Sequence, residues 1–172
     1  MLEGFSDALI ARADPDKRYE DPLLTLPQHP GELRSDQLDH AYCELTALVS
    51  QRPAFECWFV CHVTQPRYPE QIFPPEVALD ASTLTAALAQ GHALLRHPGS
   101  RFAFMVSDHD SVLCFVDGAC IELPGDEIQA VKKLCDLSIE NISDFIQQFE
   151  TDAGQSFILH LVNQGSLVVD QE

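Results

Sequence analysis

Residues 102–123 read FAFMVSDHDSVLCFVDGACIEL, and this stretch decides the fold. Phe102 to Val106 is a run of aromatic and apolar residues that ends in a polar turn, Ser107-Asp-His-Asp110. A second strand pattern, Val112 to Val116, follows directly. Asp117-Gly118 then marks a tight hairpin, because a two-residue turn needs positive φ at both central positions and these residues tolerate it. Ala119 to Leu123 completes a three-strand antiparallel meander.

Helical patterns lie on both sides of the meander. Upstream, Asp80 to Gln90 reads as a short helix closed by Gly91. Downstream, after Pro124-Gly125, three sets of apolar residues recur at helical spacing: Ile128, Val131, Leu134 and Cys135; Ile142, Phe145, Ile146 and Phe149; Phe157, Ile158, Leu161 and Val162. Gly165 ends the last set, and Ser166 to Asp170 is a β-type tail. Two helices around a polar turn at Glu150 to Gly154, followed by a strand, give the order of a helix-turn-helix with a wing.

The N-terminal part is helical. Leu2, Phe5, Leu9 and Ala13 fall at helical spacing before a stop at Asp14-Pro15, and a chain that opens inside a helix reads as a piece of a longer one. Residues 15 to 34, with Pro15, Pro22, Pro27 and Pro30, predict an extended strap anchored by Leu23, Leu24 and Leu26. From Ser35, read as an N-cap, residues Leu38, Ala41, Tyr42, Leu45, Leu48 and Val49 share one helical face. Pro53 starts a third helix whose stripe of Phe55, Trp58, Phe59, His62 and Val63 runs to Pro66. The expected architecture is α+β: a small α-helical dimerisation bundle over 1–66, a linker over 67–79, and a winged-helix-like domain with a short antiparallel β-meander over 80–172. Three helices bury little alone, so Phe5, Leu9, Leu45, Trp58 and Phe59 are candidates for a two-fold interface with a second copy. Trp58 would serve equally well as core within one chain.

Composition narrows the class. Of 172 residues, 45% are apolar and 22% charged, as in folded globular chains. No apolar stretch approaches the roughly 20 residues that cross a bilayer, and no basic-then-apolar leader opens the sequence. Six cysteines without regular spacing fit reduced thiols and a cytoplasmic location. The formal charge of −17 repels phosphate backbones and anionic lipids and favours basic partners.

No residue pattern carries catalysis. There is no G-x-S-x-G elbow and no Gly-rich phosphate loop. Cys57, Cys61 and His62 form C-x-x-x-C-H without a second ligand pair, and fit small apolar packing groups. A non-haem iron triad needs two His and a carboxylate, yet none of the seven histidines is followed two positions later by Asp or Glu. Asp108-His109-Asp110 reads as a solvated turn. The second helix of the helix-turn-helix, Gln155 to Gln164, has no Lys or Arg to meet DNA. Residues 1–70 contain 6 basic and 12 acidic side chains, and residues 71–172 contain 4 and 15. A winged helix of this charge reads as a protein-interaction module, with no DNA and no membrane among its expected partners. The alternative is a stand-alone winged-helix regulator or adaptor associated with nucleic acid.

The succession Leu2-Glu-Gly-Phe-Ser-Asp-Ala, Arg18-Tyr-Glu-Asp-Pro22, His29-Pro30, Cys57-Trp-Phe59, Gln65-Pro-Arg67 and Leu161-Val-Asn-Gln-Gly165 resembles the C-terminal region of JmjC/cupin-type bacterial ribosomal-protein arginine hydroxylases. In that family a JmjC barrel binds Fe(II) and 2-oxoglutarate and hydroxylates an arginine of a large-subunit ribosomal protein. A dimerisation region and an acidic winged helix follow the barrel. The resemblance therefore implies a non-catalytic C-terminal part and a homodimer, with a basic ribosomal protein as substrate of the parent. It maps no catalytic, cofactor or metal position onto these residues, so Fe(II) and 2-oxoglutarate are expected only in the barrel.

Overall fold

The structure, a computed structural model, describes residues 2–12, 16, 29, 33–107, 110–136, 141–143 and 146–170, with Leu2 and Arg12 described in their backbone alone. The chain divides into two compact units, Met1–Phe59 and Val60–Glu172. Three helices lead the chain: α1 (Leu2–Arg12), α2 (Ser35–Val49) and α3 (Arg52–Thr64), and the division falls within α3. The expected stop at Asp14-Pro15, the anchors Leu23, Leu24 and Leu26, and most of the strap lie outside the described residues.

Ser35 is not the cap of α2 but its first helical residue, with Arg34 in the extended cap position. The Gln37 side chain accepts from the Arg34 backbone N–H at 3.1 Å, which satisfies the chain just before the helix without a serine cap. In α3, Arg52 Nε donates to Glu56 Oε1 at 2.7 Å, one turn on, and the helix ends two residues before Pro66.

The second unit continues through α4 (Ala81–Ala89), β1 (Ala93–Arg96), β2 (Phe102–Ser107), β3 (Ser111–Val116), β4 (Ala119–Pro124), α5 (Ile128–Leu134), α6 (Asp152–Asn163) and β5 (Leu167–Asp170). Strands β2, β3 and β4 form the antiparallel meander, with Phe104 opposite Cys114 and Cys114 opposite Ile121. Asp117 and Gly118, at φ 52° and 88°, supply the two positive φ angles of the β3–β4 hairpin. The Asp117 side chain then ties this tip to two other places. Its Oδ1 accepts from the Arg101 N–H at 2.8 Å, and its Oδ2 accepts from Ser166 Oγ at 2.6 Å.

Helix α5 packs on β2 and β3, while α6 packs on α4, β4 and β5. Between them lie Leu94, Val112, Cys114, Val116, Leu123, Val131, Leu134, Ile142, Phe149, Phe157, Ile158, Leu161 and Leu167, all buried. Each large apolar side chain removed from water here contributes about 1.5–3 kcal/mol before entropy is counted.

Two departures from the sequence reading have local causes. The pattern Ile142, Phe145, Ile146, Phe149 gives no α-helix among the described residues, only a single 3-10 turn over Ile146–Gln148. The backbone of the segment joins β1 instead: Ile142 N–H donates to the Leu94 carbonyl at 2.8 Å, Asn141 bridges Leu95, and Leu94 N–H donates to Ser143 Oγ at 2.7 Å. The polar turn also ends sooner than expected, because Thr151 caps α6 by accepting from the Gly154 N–H at 3.0 Å. In addition, β1 pairs antiparallel with the tail strand β5, which the sequence marked only as an isolated run.

Both α4 and α6 end on a left-handed glycine. Gly91 N–H bonds the Leu88 carbonyl and His92 N–H that of Ala87; Gly165 N–H bonds the Val162 carbonyl and Ser166 N–H that of Leu161. These are two copies of one C-terminal motif. At its start, α4 is capped by Asp80, which accepts from the Thr83 N–H and from Ser82 Oγ, each at 2.7 Å.

Candidate functional site

Among the described residues, three surfaces stand out chemically. The first is in the N-terminal unit. Helix α2 presents its apolar residues to solvent: Leu38, Tyr42, Leu45, Leu48 and Val49 are all exposed, Tyr42 by 70% and Leu45 by 63%. No described side chain of residues 3–59 is fully buried. In the same unit, Phe5, Phe55, Trp58 and Phe59 form an aromatic cluster. Phe5 meets Phe55 edge-on at 5.2 Å and Trp58 at 5.1 Å, and Phe55 stacks on Phe59 at 5.7 Å. The five interface candidates therefore separate: Phe5, Trp58 and Phe59 share the cluster, Leu9 is half-buried on α1, and Leu45 stands on the open face of α2.

The second surface is α6, in the place where a winged helix reads DNA. Its apolar side, Phe157, Ile158, Leu161 and Val162, is buried in the core. Asp152, Gln155, Ser156 and His160 are exposed, and no cation is among them. Asn163, a residue type suited to reading a base, is committed elsewhere. Its Oδ1 accepts from the Leu79 N–H at 2.8 Å and its Nδ2 donates to the Leu79 carbonyl at 3.0 Å, pinning the segment before α4.

The third surface is a pair of neighbouring cavities. A largely apolar one of about 650 Å³ lies between α4, the 3-10 turn and α6, lined by residues such as Leu84, Leu88, Ile146, Phe149 and Ile158. A smaller one of about 360 Å³ is lined by Asp126, Glu127, Gln129, Ala130, Gln148, Glu150 and Thr151. Glu150 belongs to both. Glu127 is 1% exposed, and its Oε1 accepts from the Thr151 N–H at 3.0 Å and from Thr151 Oγ1 at 2.6 Å. Gly154 makes room for it, since a side chain there would run into the carboxylate. No sequence signal singles out this buried glutamate, because its surroundings come from segments 24 residues apart.

Cys114, buried on β3, hydrogen-bonds Cys135 at the end of α5. That bond, with burial, holds Cys114 well above the usual thiol range; the same bond, aided by the Arg96 guanidinium, lowers Cys135. Cys57 and Cys61 are half-buried and His62 is exposed. Among the described residues no three His, Cys, Asp or Glu side chains converge as ligands for a metal ion, and no described helix is long and apolar enough to cross a membrane.

A family model, the ROXA-like winged helix, matches residues 45–168. This chain belongs to the ROXA-like winged-helix family. The ROXA-like match starts within α2 and ends in β5, so it takes in part of the helical region as well as both sheets. Over 166 residues the chain is 26% identical to the ribosomal protein uL16 3-hydroxylase of Escherichia coli K12, covering 96% of this chain and 42% of that protein. It thus spans about two-fifths of the length of its curated relative. In fold it resembles the X-ray structure of E. coli ycfD, with a TM-score of 0.76 at 24% identity over 98% of this chain and 44% of that one. A second structure, described as the E. coli ribosomal oxygenase YcfD, gives 0.73 at 23% identity, with 98% and 45% covered. The fold of these two structures is therefore shared nearly end to end.

Proposed function

We propose that this chain acts as the non-catalytic C-terminal part of a Fe(II)/2-oxoglutarate-dependent ribosomal-protein arginine hydroxylase. In this reading the helical region joins two copies and the winged helix engages a basic protein partner in the cytoplasm. The likeness to the uL16 3-hydroxylase, a protein named for acting on a ribosomal protein, supports the parent activity. The hydroxylation itself, with its Fe(II) and 2-oxoglutarate, is assigned to a JmjC/cupin barrel elsewhere in the parent.

The observation that carries the reading is the open face of α2. An amphipathic helix with Leu38, Tyr42, Leu45, Leu48 and Val49 in solvent has no reason to keep that face apolar in an isolated chain. A second copy would cover it by two-fold symmetry, in which the same patch serves both partners. The acidic charge of the winged unit supports attraction of a basic protein and disfavours nucleic acid, since an acidic surface repels phosphates.

Light scattering over a concentration series tests the first half. The expected mass is twice the 19.1 kDa of one chain, with Leu45→Asp converting it to monomer at unchanged helicity. A strict monomer at all concentrations would overturn dimerisation. Salt-sensitive binding to a polyarginine peptide tests the second half, and affinity independent of salt would remove it.

A further inference from the structure

The smaller cavity of the winged unit carries more negative charge than the fold needs. Three of its lining residues are carboxylates: Asp126 and Glu150 at the exposed rim, and Glu127 buried. Glu127 Oε1 is fully used by Thr151, yet Oε2 is shut away from solvent with no hydrogen-bond partner. Among the described residues no cation pairs with Glu127. The N-terminus of α6 offsets part of its charge through Thr151, but a buried carboxylate with one idle oxygen remains under-compensated. Lys133 is engaged with Gln148 Oε1, in the cavity lining, at 2.9 Å, and the three carboxylates of the lining outnumber it. The four basic residues of the whole winged region cannot neutralise its surface.

We propose that this cavity receives an arginine side chain of a basic protein partner. The inference rests on the reading of the winged unit as a protein-interaction module and gives that module a site. A guanidinium suits the lining better than an ammonium, because its several planar donors match the carboxylates of Asp126 and Glu150 and the side-chain carbonyl of Gln129. The volume of about 360 Å³ accommodates the head group and its stem. Glu150 also borders the larger apolar cavity, so a segment that sets an apolar side chain beside the arginine fills both at once. The cation would bring the missing positive charge next to Glu127.

The test uses the whole chain and the probe N-acetyl-Leu-Arg-amide, followed by amide chemical shifts. The expected result is saturable shifts centred on Gln129, Glu150 and Thr151. They are absent with the citrulline analogue, which keeps shape and loses charge, and weaker with N-acetyl-Gly-Arg-amide. The Asp126→Asn/Glu150→Gln double variant changes two exposed residues and keeps the fold; it weakens binding roughly tenfold. Glu127→Gln weakens it as well. Shifts that the citrulline probe reproduces, or that the double variant leaves unchanged, overturn the site. Salt-sensitive binding to polyarginine without shifts at the cavity also overturns it while leaving the general acidic attraction standing. No binding to either probe overturns both.

Discussion

Replacing Gly165 with alanine loads two penalties onto one methyl group, and Gly91 separates them. Both glycines close a helix with the same pair of backbone bonds, at φ of 87° and 91°. At Gly91 an added Cβ meets nothing within 4 Å, so alanine there incurs only the left-handed backbone term, about 1–2 kcal/mol. At Gly165 the same Cβ would lie inside contact distance of the Phe73 carbonyl oxygen, 2.7 Å from the Phe73 carbonyl carbon and 3.1 Å from Pro74 N. Those are main-chain atoms that no rotamer change can move aside, so an overpacking term of about 1–3 kcal/mol is added. Gly165→Ala should therefore lose about 2–5 kcal/mol in total. Urea unfolding followed by circular dichroism reads both variants, with the slope checked for constancy. Equal losses for the two would refute the contact argument, and no loss at either would refute the backbone argument as well.

Asn163→Ala removes both bonds to Leu79 and should destabilise the winged unit by about 1–3 kcal/mol, with faster hydrogen exchange at the Leu79 amide; unchanged exchange would show that the segment is held by other means. The Asp80 cap predicts a pH effect. Hydrogen bonds from Thr83 and Ser82 lower its carboxyl from 3.8 to about 2, so its contribution is complete above 3.8 and is lost as pH falls toward 2. The melting-temperature advantage of the wild type over Asp80→Ala should shrink across that window, and a pH-independent gap would contradict it.

The features legible in the sequence are those written in a few adjacent residues. Asp117-Gly118 fixed the hairpin because turn chemistry is local, and Asp80 with Gly91 bounded α4 for the same reason. The apolar face of α2 was equally plain, although periodicity alone does not say whether a face is covered, and this one is open. What escaped depends on distant partners. Ile142 and Phe149 are buried as a helical stripe would be, yet the backbone of 141–143 is drawn to β1 because Leu94 and Leu95 offer it hydrogen bonds. Tertiary pairing there outweighs spacing. Glu127 looks like any acidic residue after a turn, and only the return of Thr151 and Gly154 makes it a buried group beside a cavity. The five interface candidates come from three helical stripes, and the structure gathers three of them into an aromatic cluster while leaving Leu45 to solvent.

The pairing of β1 with β5 sets Ala93 against Asp170 and Arg96 against Leu167. Leu94, wholly buried, thus relies on a strand made more than seventy residues later. During synthesis the meander and α5 can assemble as they emerge, since their contacts are near in sequence, but the winged unit cannot seal until residues 167–170 are available. A nascent or truncated chain that stops before Leu167 leaves the edge of β1 unpaired and Leu94 uncovered, a form prone to capture by chaperones or to self-association. Residues 167–170 act as a latch, which makes their arrival a checkpoint on whether the unit is finished.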